Sequence, residues 1–321
     1  MKLKEIYALA VEAGIAADPR GQKSVEKDLA KAKKRYDKLE EKDKEYFDQE
    51  SLTNPYSDTR ILNGEKELEI KKIAVGIDIE VGELLLADRL ISKGEKIDLV
   101  LAHHPEGYAL AGLSEVMHIQ EGILADLGVP INVAEGMMAS RISEVKRGLM
   151  PYNHGRTIDT AKALGIPLMC VHTPADNLVT EFLNQYFAQQ EPDTLDDLVS
   201  LLKEIPEYKK AAKLKAGPTI VVGNGKRSVG KIFIDMTGGT GGSEDAFEKL
   251  AIAGVGTIVG MHISEKHRKN AEKFHINVVI AGHMASDSLG VNLFLDKLTQ
   301  KGIEILPISG FDRFSRNPEV S

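Results

Sequence analysis

The stretch that decides the fold is IDLVLAHHPE, residues 97–106, in which an apolar run ends in two histidines, a proline and a glutamate. Similar apolar runs recur along the chain and are separated by amphipathic segments of helix length, among them 82–93 and 244–253. The other runs are KKIAVGID (71–78), IPLMCV (166–171), KIFIDM (231–236), GTIVGM (256–261), NVVIAG (277–282) and IEILPI (303–308). Short apolar strands alternating with helices predict parallel α/β layers.

The arrangement of these segments predicts two α/β lobes with a helical N-terminal extension. Residues 181–216 contain a ladder of leucines and are expected to be a helical connection between the lobes. NPYSDTRILNG, residues 54–64, is rich in turn-forming residues and predicts a linker. The predicted division is therefore an extension over 1–66, a first lobe over 67–190 and a second lobe over 191–321.

The N-terminal extension is strongly charged. Between residues 22 and 50, 18 of 29 side chains are charged, and apolar residues recur at spacings of four and three. They are Val25, Leu29, Ala32, Tyr36 and Leu39. This narrow apolar seam predicts a solvated helix that packs on the body of the protein or on another subunit.

Composition limits the classes of protein that this chain can belong to. The chain has 321 residues, 42 % of them hydrophobic and 28 % charged, which is typical of globular proteins. A net charge of -7 argues against a surface built for nucleic acid. The single cysteine, Cys170, cannot form an intramolecular disulfide or a thiolate zinc site. We therefore expect a cytoplasmic protein whose metal ligands, if any, are nitrogen and oxygen atoms.

No segment is expected to enter a membrane. The N-terminal residues have an apolar character, but Glu5 and Glu12 interrupt them where a signal peptide needs an unbroken apolar region. The longest apolar run elsewhere, 251–261, is far shorter than the roughly 20 residues that span a bilayer.

His103 and His104 stand at the end of a predicted strand. Neighbouring side chains on a strand point to opposite faces, so both imidazoles can enter one cleft only if the strand ends there, and Pro105 supplies that ending. Two ligands that diverge in this way suit two metal ions about 3.5–4 Å apart better than one. A histidine pair with no further ligand-type residues at other strand ends would instead indicate a structural role.

Two further predicted strand ends carry similar residues. One is followed by His172 and Asp176, the other by His283 and Asp287. In a helix after Gly282, the latter two share one face, and the Asp287 carboxylate can bridge two cations. Capping of the following helices is the alternative role for both aspartates. Three imidazoles and two carboxylates together are compatible with two divalent ions such as Zn, Mn or Fe(II).

Three other features are open to two interpretations. His172 is either a supporting partner or proton relay at the site, or a buried histidine with its hydrogen bonds satisfied. Glu106 is either a general base or additional ligand, or a surface loop residue. The glycine turn 238–243 either cradles an anion such as phosphate or allows close packing between strand and helix.

Four motifs in this order resemble one known family. They are IDLVLAHHP, CVHTPADN, IDMTGGTGG and VVIAGHMASD, and the resemblance covers about residues 71–321. The family is that of NGG-one-interacting-factor-three-like proteins, also called GTP cyclohydrolase I type 2. Its members have a dinuclear metal centre between two α/β lobes and form toroidal hexamers. The resemblance implies the same five ligands: His103, His104, Asp176, His283 and Asp287.

The sequence departs from the family in three places. The last ligand is usually glutamate, whereas here it is the shorter Asp287. An insertion lies around residues 110–155, and the charged N-terminal helix is not part of the family pattern.

These observations predict a metal-dependent hydrolase. Two divalent cations lower the pKa of a bound water, which is what hydrolysis requires. The resemblance implies a purine nucleotide such as GTP as the small-molecule substrate, and a phosphate ester is the other candidate. It also implies a homohexamer. The alternative is a ring-shaped scaffold or regulatory protein whose metal ions are structural.

Overall fold

A computed structural model of the chain describes residues 1–317. The strands are β1 (Arg60–Asn63), β2 (Lys72–Gly76), β3 (Leu99–Ala102), β4 (Leu168–Cys170), β5 (Thr219–Val222), β6 (Lys231–Asp235), β7 (Val255–Gly260), β8 (Asn277–Ile280) and β9 (Glu304–Pro307). The α-helices are α1 (Leu3–Ala16), α2 (Gln22–Asp37), α3 (Glu41–Lys44), α4 (Val81–Ser92), α5 (Gly107–Ala111), α6 (Leu113–Val116), α7 (Ile119–Leu127), α8 (Ile131–Leu149), α9 (Gly155–Leu164), α10 (Thr173–Gln190), α11 (Leu195–Leu202), α12 (Pro206–Lys213), α13 (Ala246–Ile252), α14 (Glu265–Lys273) and α15 (His283–Thr299). A 3₁₀ turn covers Gln49–Leu52.

The strands form two separate sheets. The first sheet has the order β1-β4-β3-β2-β9, and the second has the order β5-β8-β7-β6. Within each sheet the strands are parallel except for one antiparallel edge strand, β1 in the first and β5 in the second. Each predicted apolar run contains all or most of one strand, and helices lie between them, so the predicted fold class is confirmed. None of the helices within residues 1–317 has the length and apolarity needed to cross a membrane.

The N-terminal region is helical, as predicted, but α1 belongs to a hydrophobic core. Leu3, Ile6 and Ala10 are fully buried in the cluster that also contains residues of β2, α10 and α15. The seam of α2 packs within the chain: Val25 is fully buried, and the Tyr36 ring lies 5.1 Å from the ring of Phe47.

The predicted linker at 54–64 is wrong in part, because it contains strand β1 and several buried polar side chains. Arg60 is only 2 % exposed, and its guanidinium donates to an Asp48 carboxylate oxygen at 2.6 Å. Asp58 and Thr59 are fully buried. Turn-forming residues lie on both sides of this edge strand. With only four residues, the strand is too short to show an alternating pattern in the sequence.

The two sheets do not follow the predicted segments along the chain. The first sheet takes β1 from the predicted extension and β9 from the predicted second lobe, and β9 pairs with β2. Helices α7 and α8, from the insertion at 110–155, share a core with β5, β7 and β8 of the second sheet. Each lobe is therefore completed by chain segments that are distant in sequence.

The residues after β9 are held by a buried ion pair. Both Glu207 oxygens accept from the guanidinium of Arg316, at 2.9 and 2.7 Å, and the Glu207 side chain is 1 % exposed. Asn292 donates to the same carboxylate at 3.0 Å.

Replacing Arg316 with alanine is expected to destabilise the protein by about 3 kcal/mol, because it leaves the Glu207 carboxylate buried without its cation. Urea unfolding followed by circular dichroism measures the change. Arg89→Ala, which removes an exposed arginine from α4, is the matched control. A loss no larger than that of the control would show that the pair contributes little.

Candidate metal centre

The five predicted ligands converge beyond the carboxyl ends of strands from both sheets. His103 and His104 directly follow β3, and Asp176 lies in the first turn of α10, after β4. His283 and Asp287 lie in the first two turns of α15, after β8 of the second sheet. Carboxyl ends of parallel strands are where α/β proteins form their sites, and here strands of two sheets contribute to one site.

Asp287 stands at the middle of this cluster and presents its two oxygens to different imidazoles. Its Oδ1 lies 3.6 Å from His103 Nε2. Its Oδ2 lies 3.4 Å from His104 Nε2 and 3.4 Å from His283 Nε2. A carboxylate in this arrangement can give one oxygen to each of two cations.

Several polar atoms of the cluster are buried and have no hydrogen-bond partner in the part of the chain that the structure describes. They are His103 Nε2, Asp176 Oδ1 and both carboxylate oxygens of Asp287. The gap between His103 Nε2 and Asp176 Oδ1 is 3.4 Å, longer than an ordinary N–H···O bond. Buried polar atoms are rarely left without partners, and converging imidazole nitrogens and carboxylate oxygens are the donors that a divalent cation needs.

The ligand atoms fall into overlapping groups that can hold a metal ion. In each group the atoms lie within 4.8 Å of one another: His103, Asp176 and Asp287 in one, and His104, His283 and Asp287 in another. The groups share Asp287, as expected for a bridging carboxylate.

Hydrogen bonds on the far side of the rings orient the histidines. His103 Nδ1 is 3.0 Å from the carbonyl oxygen of Val171, and His104 Nδ1 is 2.6 Å from Asp78 Oδ1. When Nδ1 carries the proton for these bonds, the Nε2 lone pair faces the cluster. Such bonds are typical of metal-binding histidines.

His172 joins the cluster more closely than the sequence indicated. With His103 and His104 it forms a third group whose ligand atoms lie within 4.8 Å of one another. Its Nδ1 is 2.8 Å from Asp58 Oδ2, and Asp58 also accepts from the hydroxyl of Thr173 at 2.6 Å. Sequence reasoning missed Asp58 because it lies in the stretch that was predicted to be a linker.

Replacing Asp58 with asparagine is expected to weaken metal binding or activity about 10- to 100-fold, because His172 loses the acceptor that fixes its ring. Titration of the metal-free variant with Zn²⁺ against a competing chelator measures the affinity. Asp78→Asn, which affects the more exposed His104, is the parallel comparison. Unchanged affinity and activity in Asp58→Asn would show that His172 has no part in the centre.

The charges of the cluster keep its carboxylate ionised. Burial alone would raise the pKa of the Asp287 carboxyl, but the neighbouring imidazoles of His103 and His104 outweigh it and lower that pKa. For His103, burial acts to lower the pKa, and the carboxylates of Asp287 and Asp176 raise it above the usual range. The site therefore offers an anionic oxygen ligand at neutral pH.

Glu106 is not among the grouped ligand atoms within residues 1–317. It is half-buried, lines the same cavity as the cluster, and burial raises the pKa of its carboxyl. Its suggested role as an additional ligand therefore has no geometric support, and its role as a general base stays a prediction.

The cluster opens onto a cavity of about 460 Å³ between the two sheets. His104, His172, Asp176, His283 and Asp287 line one part of it. The rest is lined by residues of the second sheet, by the glycine turn and by helices of the insertion.

The glycine turn packs closely against the insertion. Gln120 donates to the carbonyl oxygens of Gly238 and Thr240 at 2.6 and 2.7 Å. A Cβ atom on Gly238 or Gly242 would lie 2.6 or 2.4 Å from Gln120 atoms, so a larger residue would clash. Close packing explains the glycines, and phosphate contact stays a prediction.

Fold and site together define a mixed α/β protein of two sheets whose His and Asp clusters can bind metal ions. The structure is similar to that of a NIF3 superfamily protein from Sphaerobacter thermophilus, with a TM-score of 0.70 and 25 % identity over 81 % of this chain and 93 % of that chain. It is also similar to reduced HcgD from Methanocaldococcus jannaschii, with a TM-score of 0.51 and 15 % identity over 83 % of this chain and 94 % of that chain. No protein-family model and no curated protein matches the sequence. The chain has the fold of the NIF3 superfamily, which confirms the resemblance carried by its motifs.

Proposed function

We propose that this protein is a hydrolase that depends on two divalent metal ions. The observation that carries the proposal is the shared carboxylate of Asp287. Its two buried oxygens have no hydrogen-bond partner within residues 1–317 and face separate groups of imidazoles. One ion would be held by His103, Asp176 and Asp287, and the other by His104, His283 and Asp287. When bound, such ions supply an activated water and stabilise negative charge on the substrate.

Two features of the site support catalysis over a purely structural metal site. Structural sites are closed to other ligands, whereas catalytic sites keep a position open. Here the cluster lines a large cavity, and the side chain of His283 is 44 % exposed. His172, held by Asp58, is positioned to accept or donate a proton at Nε2, and Glu106 is the other candidate general base.

The proposed substrate is a purine nucleotide such as GTP or a phosphate ester, on the strength of the family resemblance. The test is to load the purified protein with Zn²⁺, Mn²⁺ or Fe²⁺ and to screen it against GTP, other nucleotides and bis-p-nitrophenyl phosphate. His104→Ala, which removes one ligand, is expected to lose at least one metal equivalent and the activity with it. Metal binding without turnover on any substrate would favour the alternative, a metal-stabilised scaffold.

We also propose that the protein assembles into a homohexamer in the cytoplasm. The family resemblance supports the hexamer, and the single buried thiol of Cys170 is compatible with a reducing compartment. Light scattering coupled to size-exclusion chromatography measures the mass, and a monomer at micromolar concentration would contradict the proposed assembly.

A further inference from the structure

One carboxylate in the cavity has no function in the metal centre. Asp235 is the last residue of β6, and its side chain is exposed to the cavity. Within residues 1–317 it makes no side-chain hydrogen bond or ion pair, and no group of potential metal ligands includes it.

The surroundings of Asp235 are unfavourable for an unpaired charge. Phe247, Ile258, Ile263 and Ile280 line the same cavity. Burial among the cavity walls raises the pKa of Asp235 to about 6. Within residues 1–317 no donor of the protein replaces the water that solvates this carboxylate, so a ligand that displaces the water must supply donors of its own.

Two basic groups that line this part of the cavity already have partners. Arg141 donates to the carbonyl oxygen of Gly241 at 3.0 Å and to Glu144 at 2.8 Å. His267 Nε2 is 3.1 Å from the carbonyl oxygen of Gly242. Within residues 1–317, neither of these groups nor His262, which lines the same cavity, pairs with Asp235. The carboxylate therefore remains available to a molecule that enters from outside.

We infer that Asp235 binds the paired N–H donors of the substrate, and that this substrate is a flat, largely apolar ring with an amidine-type edge. A carboxylate accepts two parallel N–H bonds from such an edge, as it does from a guanidinium. The apolar side chains and Phe247 provide walls for the ring. This inference rests on the proposed function only in taking the bound molecule to be the substrate of the metal centre.

A pair of probes tests the inference without knowledge of the substrate. 2-Aminobenzimidazole has a flat ring and an amidine-type edge, and 2-methylbenzimidazole has the same shape without the amino group. Isothermal titration calorimetry or ligand-observed NMR compares their binding to the metal-loaded protein and to the metal-free protein. We expect the amino probe to bind about tenfold more tightly or better in both forms, because charge-assisted hydrogen bonds contribute the difference.

Variants assign the preference to Asp235. Asp235→Asn keeps the size and is expected to bind the two probes equally, whereas Asp235→Glu retains a preference. The matched control is Asp159→Asn, which removes an exposed carboxylate of α9 outside the cavity. It is expected to bind as the unchanged protein does. Thermal unfolding checks that each variant is folded.

The outcomes separate this inference from the proposed function. Equal binding of the two probes to the unchanged protein, a preference that persists in Asp235→Asn, or a preference that needs the metal would each overturn the role of Asp235. A preference that depends on Asp235 in a protein without hydrolytic activity would support the binding site and contradict the hydrolase. Hydrolytic activity in a protein that binds the two probes equally would support the hydrolase and contradict the binding site at Asp235.

Discussion

Asp287→Asn is expected to lose at least one of two bound metal ions and to reduce hydrolysis more than about hundredfold. Both oxygens of Asp287 face imidazole groups, so the amide replaces one anionic oxygen with an NH₂ group that cannot bind a cation. Even the outer partners of metal ligands cost 10- to 100-fold when they are removed, and a shared ligand should cost more. Elemental analysis and steady-state kinetics on the same preparation measure both quantities.

Two variants make this result interpretable. Asp287→Glu restores the residue that is usual in the family and is expected to retain two metal ions. Asp159→Asn changes an exposed carboxylate on α9 and should alter neither metal content nor activity. Full occupancy and full turnover in Asp287→Asn would show that Asp287 is not a bridging ligand.

Removal of the metal ions is expected to abolish activity and to lower the unfolding temperature. Without cations, four buried atoms have no hydrogen-bond partner among the described residues: His103 Nε2, Asp176 Oδ1 and both Asp287 oxygens. Ions present at 100 times their dissociation constant stabilise the folded state by about 2.7 kcal/mol. Dialysis against a chelator, followed by calorimetry and by reloading, measures the loss and its recovery.

The Asp287→Asn variant also serves as the control for metal removal. Its unfolding temperature should respond less to the chelator than that of the unchanged protein, because it binds fewer ions. If the chelator removes the metal but leaves the unfolding temperature and activity unchanged, the cluster neither stabilises the fold nor catalyses hydrolysis.

The five proposed ligands were predictable because of where they stand in the sequence. His103, Asp176 and His283 all follow short apolar strands, and parallel sheets bring such positions to one edge. Because α15 begins at His283, the spacing of four places His283 and Asp287 on the same face of that helix.

The environment of these ligands was not predictable in the same way. Asp58 supports His172 across 114 residues of sequence, and no local pattern indicates such a contact. Asp235 is visible in the sequence as a polar residue at the end of a strand, but only the fold shows that it faces the cavity and has no partner among residues 1–317. The position of β9 beside β2 depends on tertiary packing, because an apolar run does not specify which sheet it joins.

The pairing of β9 with β2 has a consequence for the order in which the protein can fold during synthesis. All four strands of the second sheet lie between residues 219 and 280, so that sheet has its strands before β9 has been translated. Until then, β2 is an exposed edge of the first sheet, and such edges are prone to pair with other chains. The last strand to leave the ribosome is therefore the one that covers this edge, which makes premature termination after α15 a route to aggregation.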